Sequence, residues 1–158
     1  MKFHSRRIGL LLGMGVMSLA LLAACGSESD TEPTAPTQPE APASAAPAES
    51  TVAATLNEWD IVVDVVTVPA GEVTFDVENA GAIPHELVVV RTDLAEDGLP
   101  VADGRVVESE IDIVGEVEEF AAGTTESGTF SLEAGSYVLI CNIPAHYTQG
   151  MHTPFTVE

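Results

Sequence analysis

One segment near the C-terminus restricts the possible folds more than any other: Cys141-Asn-Ile-Pro-Ala-His146-Tyr-Thr-Gln-Gly-Met151. It spaces a thiol, an imidazole and a thioether at intervals of five residues, between the strand-like runs Tyr137–Ile140 and Phe155–Val157. Far upstream, Pro84-His85-Glu-Leu-Val-Val-Val90 places a second imidazole at the head of a β-branched run. Two imidazole nitrogens, a thiolate and a weak thioether suit copper cycling between its two oxidation states. A chain that uses all four must fold a late loop back onto the start of a much earlier strand.

The chain has 158 residues, which fits one domain with appendages. Acidic residues number 25 against 5 basic, and Lys2, Arg6 and Arg7 lie in the N-terminal segment. From Cys25 onward only Arg91 and Arg105 offset the acidic set. Such a surface argues against nucleic acid and anionic membranes as partners and favours a basic patch on a partner protein; it also keeps an exported domain soluble. Cys25 and Cys141 are the two cysteines. They can pair in an oxidising compartment, but each has a better explanation in its own surroundings.

Residues 1–25 read as an export signal: a positive start, an apolar run from Ile8 to Ala24, and Leu22-Ala-Ala-Cys25 at its end. The run is short for a membrane span, which needs about 20 residues, although an uncleaved signal anchor is the alternative. Leu-Ala-Ala-Cys resembles the lipobox of bacterial lipoproteins, which implies a lipid on Cys25. The domain is then extracytoplasmic and anchored to a bacterial membrane, in the periplasm or on the outer cell surface. Ser5-Arg6-Arg7 is a faint twin-arginine feature, with Gly9 where a large apolar residue is usual, so both export routes stay open. Residues 26–50 are rich in Pro, Ala, Ser and Glu, with no apolar periodicity, and read as a disordered linker. Stretched as polyproline II at about 3.1 Å per residue, the linker reaches roughly 78 Å.

Residues 51–158 hold the domain. Strands are expected near Thr51–Leu56, Trp59–Val66, Glu72–Asn79, His85–Arg91, Val117–Phe120, Thr124–Leu132, Ser136–Cys141 and Pro154–Val157, punctuated by Pro69-Ala-Gly71, Asn79-Ala-Gly81 and Glu133-Ala-Gly135. About eight short strands with almost no helical periodicity predict an all-β, antiparallel Greek-key sandwich. Trp59 is expected in the core. Residues 92–116, crowded with acidic side chains, read as a long loop or a short helix, and as a candidate acidic docking face.

On the Cys141-x4-His146-x4-Met151 loop and the strand-head His85, residues 51–158 resemble the cupredoxins, the blue-copper electron carriers that include plastocyanin and azurin. The resemblance implies one copper ion, with His85, Cys141 and His146 in a trigonal plane and Met151 as weak axial ligand. Many members carry Asn where this chain has Glu86. Its backbone N–H can still reach the Cys141 sulfur, while the side-chain brace to the loop is lost or replaced. Ile143 offers a second N–H to sulfur, and Asn142 stands beside it; Pro144 has none to offer. Pro84 before His85 is similar to the plastocyanin arrangement and implies four-coordinate copper. An apolar electron-transfer patch of Pro84, Pro144, Ala145 and Tyr147 is implied around an exposed edge of His146. His152 is expected to point away from Met151 into solvent.

The implied function is a monomeric one-electron carrier between membrane-associated redox proteins. The alternative is copper storage or delivery without redox turnover, disfavoured because only Met151 of the four methionines lies outside the signal. Zinc accepts Cys and two His but has little use for Met. A thiol hydrolase would bring its histidine from a distant part of a larger fold. No His-x-His pair is present for the further copper centres of related enzymes, so no catalytic activity is expected.

Overall fold

The computed structural model of the chain describes residues 47–158; the expected export signal, Cys25 and the linker up to residue 46 lie outside the described residues. Strands β1 (Ala48–Asn57), β2 (Asp60–Val63), β4 (Gly71–Asn79) and β9 (Thr125–Leu132) form one sheet in the order β2-β1-β4-β9. Strands β3 (Thr67–Val68), β5 (His85–Arg91), β8 (Asp112–Phe120), β10 (Gly135–Ile140) and β11 (His152–Val157) form the other, ordered β3-β11-β10-β5-β8. A small hairpin joins β6 (Val101–Ala102) to β7 (Arg105–Val106).

The core between the sheets follows from period-two alternation. Val52, Ala54 and Leu56 of β1 and Val73, Phe75 and Val77 of β4 face Leu87 and Val89 of β5, Leu139 of β10 and Phe155 of β11. Phe75 and Phe155 meet with ring centroids 5.5 Å apart. Burying side chains of this size stabilises the fold by about 1.5–3 kcal/mol each.

Three expectations change. The sandwich is mixed rather than antiparallel, because β1 pairs with β4, and β3 with β11, in parallel. β1 begins at Ala48, so residues 48–50, assigned by composition to the linker, continue the ladder opposite Gly71–Val73. Gly71 is required there: its φ is +149°, and a Cβ would run into the Ala48 backbone. Finally, Trp59–Val66 is not one strand. β2 stops where the Asp64 carboxylate accepts the Ala53 N–H at 2.9 Å, and the chain crosses to the second sheet as β3.

Residues 92–111 hold the β6–β7 hairpin and the short helix expected there, a 3-10 turn at Glu108–Glu110, and they are not a free loop. Leu99, Val106 and Ile111 cover the outer face of the second sheet, packing with Val88, Val90, Val138 and Ile140. β5 is therefore buried on both faces, which is why it reads as an unbroken apolar run instead of an alternating one.

Candidate metal centre

The three strongest donors stand where the second sheet ends. His85 opens β5, at a bulge against β8 between His85 and Leu87, and bulges re-aim side chains next to sites. The loop 141–151 leaves β10 and re-enters β11 between directly paired residues, Ile140 and His152. Its two ends are tied together. The Cys141 N–H donates to the Met151 carbonyl at 3.1 Å, and the Met151 N–H donates to the His146 carbonyl at 3.2 Å.

This frame brings the His85 Nδ1, His146 Nδ1 and Cys141 Sγ together, all buried. The two nitrogens are 3.3 Å apart, and the sulfur lies 3.3 Å from His146 Nδ1 and 3.9 Å from His85 Nδ1. Donors on a trigonal plane, with bonds of about 2.0–2.3 Å to one ion, lie roughly 3.5–3.8 Å apart. The observed edges lie just outside that range, two below it and one above. Met151 is fully buried in the same core cluster as Cys141.

Burial lowers the pKa of both imidazoles; the neighbouring His146 lowers His85 further, while Glu58 opposes the shift on both and Glu119 on His146. Both rings are thereby biased to the neutral form that a metal needs. Burial pushes the Cys141 thiol up to about 11, against backbone hydrogen bonds from Glu86 and Ile143 that favour the thiolate.

The family model of copper-binding proteins of the plastocyanin/azurin family matches residues 49–158. The chain belongs to that family. This cupredoxin uses one copper ion, in keeping with its nitrogen–nitrogen–sulfur donor triangle. Its likeness to solved structures supports the fold. It is 24% identical to auracyanin A, a "blue" copper protein from Chloroflexus aurantiacus, over 70% of this chain and 100% of that one, with a TM-score of 0.53. Auracyanin B is 23% identical over 73% and 93% of the two chains, TM-score 0.52. Rusticyanin from Thiobacillus ferrooxidans is 21% identical over 68% and 76%, TM-score 0.51. None of the curated proteins matches the chain.

The surroundings of the cupredoxin site differ in part from expectation. Glu86 is buried, and its pKa is raised by desolvation and by Glu116, with the Asn142 backbone N–H acting the other way. Asn142 is buried and does more than flank the sulfur. Its Oδ1 accepts the Val106 N–H at 2.7 Å, and its Nδ2 donates to the Val106 carbonyl at 3.2 Å and to Glu108 Oε1 at 3.1 Å. Pro84, Pro144 and Ala145 are exposed, as a surface patch requires.

Tyr147 is not part of that patch. It points into the second core, where its hydroxyl donates to the Glu96 carbonyl at 2.8 Å and accepts the Leu99 N–H at 3.0 Å. His152 is half-buried rather than free in solvent, its Nδ1 3.6 Å from Glu96 Oε2 and its ring against Tyr147. Trp59, expected in the core, lies at the site. It occupies the β1–β2 turn with φ +68°, and its ring meets His146 edge-on, centroids 5.3 Å apart. The sequence signal for Trp59 was its place next to Glu58 at the hairpin tip, and for Asn142 its place directly after the cysteine. The Asp103-Gly104 pair also marks the β6–β7 hairpin, since both residues have the positive φ of a type I′ turn.

Proposed function

We propose that this cupredoxin is a mononuclear blue-copper one-electron carrier, with His85, Cys141 and His146 as equatorial ligands and Met151 as the weak axial one. The observation that carries the reading is the buried donor triangle of two imidazole nitrogens and one sulfur, built on strand ends. Bound copper supplies the chemistry, gaining and losing one electron between Cu(I) and Cu(II). The chain's own residues keep the donors in one arrangement and exclude water from them. The N–H groups of Glu86 and Ile143 stabilise charge on the Cys141 sulfur. Its partners are redox proteins at an extracytoplasmic bacterial membrane, reached by a monomer that swings on a linker from a lipid on Cys25.

An absorption spectrum of the copper-loaded chain tests this reading. An intense thiolate-to-copper band that bleaches on reduction and is lost in C141S supports it, and M151Q should keep the band but shift the potential. A colourless complex would favour storage or delivery. Retention of the band in C141S would remove the ligand assignment, and mass spectrometry of the mature N-terminus tests the lipid.

A further inference from the structure

Trp59 is the only exposed aromatic residue among the described residues, at 41% accessibility, while His146 beneath it retains 6%. The indole meets the imidazole at an interplanar angle of 86°. The backbone is strained to place it there. Trp59 is the second residue of a two-residue turn closed by the Asn57–Asp60 pair, and its φ of +68° is one where Gly or Asn is ordinary and a bulky side chain is an outlier. Two contacts hold the turn over the site. The Ala82 N–H donates to the Glu58 carboxylate, tying the turn to the loop that precedes His85. The Trp59 carbonyl sits over Gly150, where a Cβ would come within 3.0 Å.

Given the copper-carrier reading, we propose that Trp59, and not the imidazole edge, is the surface on which the redox partner docks. The partner is a one-electron carrier protein that sets an apolar contact on the indole and basic side chains against the surrounding acidic ones. Glu58 and Asp60 flank Trp59, and Glu119 and Glu58 both act electrostatically on His146. Of the two cations in the domain, Arg91 is committed to Glu133 at the opposite end of β5. Exposed tryptophans that anchor an interface carry a large share of its energy. In each encounter one electron passes, the partner's redox iron or copper being oxidised as this protein is reduced, or the reverse, with no bond made or broken.

The test compares the copper-loaded full chain with W59F and W59G, using a basic c-type cytochrome and a small neutral redox complex as probes. Glycine suits the positive φ, so W59G removes the indole while relaxing the turn. Expected results are a rate with the cytochrome about tenfold or more lower in W59G and within about threefold of wild type in W59F. The thiolate band of W59G should be retained, and its rate with the small complex should not fall, because the imidazole edge is uncovered. The wild-type rate with the cytochrome should fall with added salt. A W59G rate with the cytochrome equal to wild type, or an equal loss with both probes, would overturn the proposal. A wild-type chain with no thiolate band, or no exchange with either probe, would overturn the carrier reading instead.

Discussion

Replacing Asn142 by Ala leaves the N–H and the C=O of Val106 without their partners, in a place where Asn142 is 1% and Val106 is 2% exposed. Each buried backbone group left unpaired costs about 1–3 kcal/mol. Two give about 2–6 kcal/mol, and partial relaxation of the β6–β7 hairpin makes about 3 kcal/mol the expected loss. Against a typical stability of about 5–15 kcal/mol, urea unfolding of the metal-free chain should show this clearly. N142D separates hydrogen bonding from packing. It keeps an acceptor for the Val106 N–H but turns carboxylate oxygen toward the Val106 carbonyl and the Glu108 carboxylate. That contact raises the introduced group's pKa in the folded state above its unfolded value. The folded state then binds more protons, and stability rises as pH falls. At pH 8, N142D should be less stable than N142A; at pH 5 the gap should narrow or reverse. Subtracting N142A cancels the titration of the carboxylates that do not face residue 142. A loss below about 1 kcal/mol in N142A, or a pH-independent gap between the two variants, would refute the bracing role.

Four other outcomes follow from the same geometry. With its pKa at about 11, the Cys141 thiol of the metal-free protein is protonated at neutral pH, so copper uptake there should release its proton, measurable by titration in buffers of different ionisation enthalpy. A folded pKa raised above the ordinary 9.0 stabilises the metal-free fold at lower pH, and about 3 kcal/mol should be lost as pH rises from 9 through 11. Tyr147→Phe removes the hydroxyl shared by Leu99 and Glu96 and should cost about 1–3 kcal/mol, with faster hydrogen exchange at the Leu99 amide. In Gly81→Ala the new Cβ would lie 2.7 Å from Glu58 Oε1 and 3.0 Å from His85 Nε2, so the Glu58 carboxylate must move and the ring give slightly, and the visible band of the copper-loaded protein should shift by a small amount.

What could be read from the sequence was whatever repeats locally. β4 alternates cleanly, β5 is a run of β-branched residues, and the ligand loop carries its own spacing. Residues 92–111 could not be read this way because their apolar members, Leu99, Val106 and Ile111, are too sparse to show a period. They are set by the outer face of a sheet made from distant strands. The burial of Tyr147 escapes a local reading for a related reason. Its neighbours Pro144 and Ala145 are exposed, but the short 3-10 turn Tyr147–Gln149 rotates the tyrosine inward. Trp59 looked like core because large aromatics usually are; nothing local announces that a tryptophan will accept a positive φ.

Strain in this domain gathers around one histidine. Among the described residues the non-glycine positions with positive φ are Trp59 (68°), Asp103 (50°) and Ala145 (73°). All three lie in turns that meet at the ligand loop, since the Ala145 N–H donates to the Gly104 carbonyl at 2.7 Å and the Trp59 ring lies on His146. For Trp59 and Ala145 the left-handed conformation costs about 1–2 kcal/mol each, a sizeable share of a domain's net stability. Such strain persists only where the surroundings over-determine the backbone. Here they do: the Ala145 carbonyl accepts both the Gln149 N–H at 3.1 Å and the Thr148 hydroxyl at 2.9 Å. Stability is thus given up to turn His146 toward the Cys141 sulfur. A store or a courier gains from a site that opens to release its ion. A carrier gains from one whose donors stay put when the charge changes, and a strained, doubly tied loop is built for the second task.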